Sequence, residues 1–149
     1  MSAALHLARP GDLERLLPMV AAMHGEQGTP QDEDGRRAAL APLLEGSPHG
    51  AVYLMGPRGA PIGYLVVTFG WSVAYGGLDA VIDEIYVRRA VRGRGIAADA
   101  LDALARALRD AGLVALHLEV DRENDAALRL YTRARFAPRE RALRMTRPL

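Results

Sequence analysis

Val87-Arg88-Arg89-Ala90-Val91-Arg92-Gly93-Arg94-Gly95-Ile96-Ala97 is the stretch that decides how the rest of this chain is read. A run of strand character, Ala80 to Val87, enters it, and an alanine-rich helical stretch leaves it. At the junction two glycines alternate with arginines. Backbone freed from Cβ can expose several N–H groups toward one point there, and the helix that follows adds the positive end of its dipole. Such a bend suits a diphosphate.

On the far side of the bend, Ile96 to Ala111 places Ala97, Leu101, Leu104 and Leu108 along one stripe, with Asp99, Asp102, Arg106 and Arg109 mostly away from it. This is an amphipathic helix that Gly112 stops. Val114 to Val120 reads as the next strand. Asn124 caps a further helix with Ala127, Leu128, Leu130 and Tyr131 facing inward, and Phe136 with Leu143 to Met145 suggests a last strand. On the near side, Ala4 to Ala8 alternates as a short strand. Asp12 is a plausible N-cap for a helix whose Leu13, Leu16, Leu17 and Val20 share a face and which Pro18 should kink or split. Met23 to Pro30 reads as a loop, and a shorter helix runs from Asp34 or Gly35 to Leu44. Ala51 to Met55 and Ile62 to Phe69, around the turn at Gly56 to Gly59, read as a hairpin that Ala80 to Val87 extends into a meander. Antiparallel strands followed by strand, helix, strand, helix and strand predict one α/β domain over 1–149. Its mixed sheet has an antiparallel N-terminal meander, a parallel splayed pair in the middle, and helices on both faces.

Composition narrows the function. At 149 residues, half of them apolar, the chain is about the size of one domain and can build a core. A formal charge of +1 argues against a broad nucleic-acid-binding face, so any anion site is local. All 19 side chains counted as Lys or Arg are Arg, best read as coding bias. The absence of Cys excludes a disulfide, a thiolate nucleophile and a Cys-ligated zinc, and nothing clusters as a metal site. No stretch has the length of a membrane span, which points to a cytoplasmic protein. A dinucleotide-binding turn also fits Gly93, Gly95 and Ala98, with Glu119 near the end of the next strand. Against it stand Arg88 to Arg92, which separate the glycines from their strand, and Asp83 and Glu84 in the middle of that strand.

The sequence resembles the GNAT N-acetyltransferase superfamily, whose acetyl-CoA motif reads here Arg92-Gly93-Arg94-Gly95-Ile96-Ala97. Around it lie I-D-E-I-Y-V before, L-H-L-E-V at Leu116 to Val120 after, and N-D-A-A-L-R-L-Y at Asn124 to Tyr131. The resemblance implies an acetyl-CoA-dependent N-acetyltransferase acting by direct attack of an amine; a CoA-binding regulatory module without catalysis is the alternative from another class. It assigns the pyrophosphate to the Arg92 to Ala97 amides and the pantetheine to the strand end Ile85, Tyr86 and Val87. For Arg88 and Arg89 a solvated surface is the reading preferred. An alkyl amine, with a pKa of about 10, must lose a proton before it attacks. The resemblance offers Glu84, Asp83 and Glu119, in that order, as its base. Asp83 and Glu84 should point to opposite faces of their strand, so only one would serve.

The resemblance further makes Tyr131 the acid that protonates the departing thiolate, and lets Asn124 contact the cofactor while capping its helix. The acceptor, a small-molecule amine or a peptide N-terminus, is expected near Glu26, Trp71 and Tyr75, with His24 in the same loop. No nucleic acid or membrane partner is expected, and the resemblance admits a homodimer. Arg135 stands where the family commonly has the glycine of a left-handed helix stop, which puts that turn in question.

Overall fold

A computed structural model describes residues 4–139 and 141–149. They form two compact units, the first ending at Glu119 and the second beginning at Val120. In the first, β1 (Leu5–Leu7) leads through a 3-10 turn at Pro10–Asp12 into α1 (Leu13–Gln27) and α2 (Glu33–Leu44). Strands β2 (Gly50–Met55), β3 (Gly63–Ser72) and β4 (Gly77–Val87) follow, then α3 (Ile96–Asp110) and β5 (Ala115–Leu118). Among the described residues no helix is long and apolar enough to cross a membrane.

The N-terminal third departs from its sequence reading. Asp12 stands at the N-cap position of α1 as expected, but its side chain makes no capping bond there; the buried carboxylate accepts from the Arg9 N–H at 2.8 Å and holds the 3-10 turn instead. Pro18 neither splits α1 nor ends it, and the expected loop from Met23 is helical as far as Gln27, where Gly28 closes it at φ +67°. Energetics explain this. An interior proline costs about 3 kcal/mol and a glycine such as Gly25 about 1. Leu16, Leu17, Met19, Val20 and Met23 are all buried by the continuing helix, each contributing roughly 1.5–3 kcal/mol. Burial therefore outweighs propensity. Asp32, whose Oδ1 accepts from the Gly35 N–H at 2.7 Å, starts α2 slightly earlier than expected.

The sheet has the order β1-β2-β3-β4-β5, antiparallel from β1 to β4 and parallel between β4 and β5. Among the described residues the parallel pair therefore lies at the sheet's edge, and no strand forms at Leu143 to Met145, where Leu143 and Met145 are each more than 80% exposed. Alternation sends Val52, Leu54, Tyr64, Val66 and Tyr86 to the α1 and α2 side, where they share one core with Leu16, Met19 and Leu40. Leu65 and Val67 face the other way and are buried too, and α3, which contacts β4 and β1, lays down Ile96, Ala100, Leu101, Leu104 and Leu108.

In the second unit, α4 (Asp125–Arg133) is capped by Asn124, whose Oδ1 accepts from the Ala127 N–H at 3.1 Å. Arg135 takes φ +72° after it, with Phe136 N–H bonded to Tyr131 O at 2.9 Å. The left-handed stop is kept without its glycine.

Candidate functional site

Two features of β4 create the site. Its pairing with β5 ends at Ile82–Leu118, while β4 runs on to Val87 paired only with β3. Arg88 N–H donates to Ile62 O at 2.8 Å, and backbone groups alternate between strand edges, so Ile85 and Val87 turn theirs toward the edge that β5 has left. The Val87 carbonyl is taken by Arg92 Nε at 2.7 Å. Among the described residues the Ile85 N–H and C=O and the Val87 N–H have no strand partner on that edge.

The second feature is a β-bulge. The β3 register jumps from Val66↔Glu84 to Val67↔Ile82, leaving Asp83 as the extra residue. This overturns the expectation that Asp83 and Glu84 face opposite sides, since both line one cleft of about 90 Å³ with His24, Arg36, Leu40 and Val66. Asp83 is exposed on its rim. Glu84, with its side chain 21% exposed, accepts from Tyr64 Oη at 2.8 Å through Oε1 and pairs through Oε2 with His24 Nε2 at 2.8 Å. Arg36 Nε donates to His24 Nδ1 at 3.2 Å. Because a guanidinium can only donate, this bond assigns Nδ1 as acceptor and leaves Nε2 to carry the proton toward Glu84. Burial above all, and then the Glu84 charge, hold the Tyr64 phenol far above its ordinary range, so it stays a donor. Glu84 is thus a carboxylate aimed by two neutral donors. Glu119 lies just beyond the end of β5 and is exposed.

Beyond β4, Gly93 and Gly95 adopt φ +81° and +78°, which a side chain resists, although a Cβ at either would meet nothing within 4 Å. Here glycine supplies conformation and not space. Among the described residues the N–H groups of Gly93, Arg94, Gly95, Ile96, Ala97 and Ala98 have no protein acceptor; the first internal bond of α3 is Asp99 N–H to Gly95 O at 3.0 Å. Six donors at the positive end of a four-turn helix fit a diphosphate. Arg94 is exposed beside them. The Arg92 side chain is engaged within the protein. Its guanidinium grips Glu26 in a two-pronged pair at 2.8 and 2.9 Å and stacks on Tyr86, 5.3 Å from the ring centre. The Arg92 bond, before all else, holds the Glu26 carboxyl below its usual range, and Arg89 reaches the same group at 3.3 Å. The pair ties the glycine bend to α1.

Trp71 and Tyr75 lie elsewhere. Trp71 is five positions along β3 from Val66, roughly 16 Å at the usual strand rise, and is 70% exposed. Tyr75 sits against His117, ring centres 5.4 Å apart, where His117 also pairs with Asp79 at 3.0 Å. In the second unit, Tyr131 packs edge-on against Phe136 at 6.1 Å, and burial raises its phenol above the ordinary value, keeping it protonated. Sequence reasoning named His24 only in passing and missed Arg36 and Tyr64. No local pattern marks them, because their partners are 12 to 60 positions away.

A family model described as Acetyltransferase (GNAT) family matches residues 17–136. The chain belongs to that family. A candidate acetyltransferase from Arthrobacter sp. FB24 is 30% identical, with 98% of this chain and 96% of that one covered at a TM-score of 0.83. Integron cassette protein HFX_CASS3, from the mobile metagenome of the Cole Harbour salt marsh, is 29% identical, with 96% and 89% covered at a TM-score of 0.84. The aminoglycoside acetyltransferase meta-AAC0020 from an uncultured soil sample, solved with sisomicin, shares the fold at 14% identity and a TM-score of 0.79, with 99% and 96% covered. No curated protein matches the chain in sequence.

Proposed function

We propose that the chain is an acetyl-CoA-dependent N-acetyltransferase that passes the acetyl group to a primary amine by direct attack. The observation that carries this reading is that β4 joins three groups in one run: the Glu84 carboxylate, an unpaired edge at Ile85 and Val87, and the bend whose amides lack acceptors. The N–H groups from Gly93 to Ala98 hold the diphosphate, with Arg94 beside them, while Arg92 braces the bend. The open edge at Ile85 to Val87, with Tyr86 between them, pairs the pantetheine amides, and one N–H there polarises the thioester carbonyl. When bound, acetyl-CoA supplies the activated carbonyl carbon.

Glu84 takes the proton of the arriving ammonium, with Asp83 on the same rim and Glu119 as the other candidate bases. With acetyl-CoA bound, the amine nitrogen would bond to the carbonyl carbon as the C–S bond breaks, Tyr131 would give its phenol proton to the thiolate, and the second proton shed by the new amide nitrogen would restore the phenol through solvent. Asn124 contacts the cofactor while capping its helix. The sisomicin complex of a fold relative supports an amine acceptor, which here is a small-molecule amine or a peptide N-terminus.

Isothermal titration with CoA and acetyl-CoA, followed by thiol detection over an amine panel, tests the reading. Binding with thiol release is expected. An absence of CoA binding overturns it, and binding without turnover of any amine would replace it with a regulatory CoA-binding module. Tyr131→Phe should lower turnover with little change in CoA affinity; an unchanged rate removes its acid role.

A further inference from the structure

The cleft beside Glu84 carries opposite charges at its two ends. At one end stand Asp83 and Glu84; at the other is Arg36, with a single imidazole, that of His24, between Glu84 and the guanidinium. Arg36 is half-buried on α2, and only its Nε has a protein partner among the described residues. The contrast with its neighbour is informative. Arg37 finds a carboxylate in Glu14 at 2.6 Å, whereas Arg36 pairs with none, so its two terminal nitrogens keep four donors in fork geometry. Gln31 is the other polar residue of the lining, and Val20, Ala39, Leu40, Leu43 and Val66 form the apolar remainder of the wall. At about 90 Å³ the cleft takes the charged head of an acceptor, leaving its side chain toward the rim.

We infer that the acceptor is a small zwitterion, an amine carrying a carboxylate or comparable oxyanion a few bonds away, with its ammonium at Glu84 and its anion on the fork of Arg36. A polyamine would set a second cation against Arg36, and a peptide N-terminus would present a neutral amide to it. Either leaves the guanidinium unmatched. The inference rests on the proposed acetyl transfer, and its test separates the two.

The test compares matched pairs in the thiol-release assay: alanine with ethylamine, leucine with isopentylamine, and 2-aminoethylphosphonate with ethylamine as the phosphonate arm. The zwitterion of a pair should be preferred in kcat/KM by roughly ten- to a hundredfold, the usual worth of a charge-assisted pair. Arg36→Gln should collapse that ratio toward one through KM of the zwitterion, and Arg36→Lys should restore part of it. If Arg36→Gln slows both members of a pair equally and the ratio survives, Arg36 acts only on His24 and the inference falls. If CoA binds but only polyamines, aminoglycosides or dipeptides release thiol, the inference falls while acetyl transfer stands. Absent CoA binding removes both.

Discussion

Replacing Glu84 by Gln separates the proton chemistry of this side chain from its structural part. The carboxylate accepts from Tyr64 Oη and from His24 Nε2, each at 2.8 Å, and His24 cannot reverse its role because Arg36 keeps Nδ1 as an acceptor. A glutamine meets these constraints in one orientation. Its oxygen accepts from His24, its NH2 donates to the Tyr64 oxygen, and the Tyr64 hydrogen turns to Met23 Sδ, 3.1 Å away. Two charge-assisted bonds become neutral ones, a loss of about 1 kcal/mol each. For a chain of this length the resulting ~2 kcal/mol lowers Tm by roughly 4–8 °C. Turnover should fall much further, about 10²- to 10⁴-fold, as a general base is removed, while CoA affinity stays unchanged. Thermal unfolding, CoA titration and thiol release on one preparation read all three. Turnover within about threefold of the wild type would refute the role of base. Glu84→Ala leaves the His24 Nε2 donor unpaired, at about 1–3 kcal/mol, and Tyr64 with only the weak acceptor Met23 Sδ, so it should unfold at a lower temperature than the Gln variant. Equal values would refute the network.

Gly95→Ala meets no clash, so its effect is conformational: about 1 kcal/mol of stability and a several-fold weaker CoA affinity by titration, since φ +78° sets the direction of the amides. An unchanged Kd would dissociate the bend from CoA. Tyr64 is held far above the ordinary phenol value of 10.0, so above that pH the unfolded chain releases a proton that the native one keeps. Stability is therefore full below pH 10 and falls as pH rises beyond it; in urea titrations at pH 9 to 11, Tyr64→Phe should flatten that fall, and parallel slopes would count against it. Arg135→Gly relieves a side chain at φ +72° and should raise Tm by roughly 2–4 °C, the equivalent of about 1 kcal/mol; a lower Tm would show that the arginine side chain contributes more than its strain costs.

The elements that could be read from the chain are those whose signal is local. The stripe Leu101, Leu104, Leu108 and the stop at Gly112 define α3 with no reference to anything else. The alternation in β2 to β4 yields the meander in the same way. Reading failed where distant packing overruled a local cue. Pro18 and Gly25 announce breaks that α1 ignores because it buries five apolar side chains. Leu143 and Met145 look like a strand, yet are exposed and form none. A bulge is invisible in a sequence of alternating residues, so simple alternation puts Asp83 and Glu84 on opposite faces although they share a cleft in the fold.

By itself the sequence carried the resemblance to the family in its motifs, and it determined the meander, α3 and the glycine bend, because an alternation of 2, a repeat of 3.6 and the left-handed freedom of glycine are all written within a few neighbouring residues. Only the tertiary structure decided that Arg92 braces the bend on Glu26, that His24, Arg36 and Tyr64 surround Glu84, and that the edge of β4 lies open. Those facts depend on which side chains from remote segments reach the same few ångströms, and packing alone brings them there.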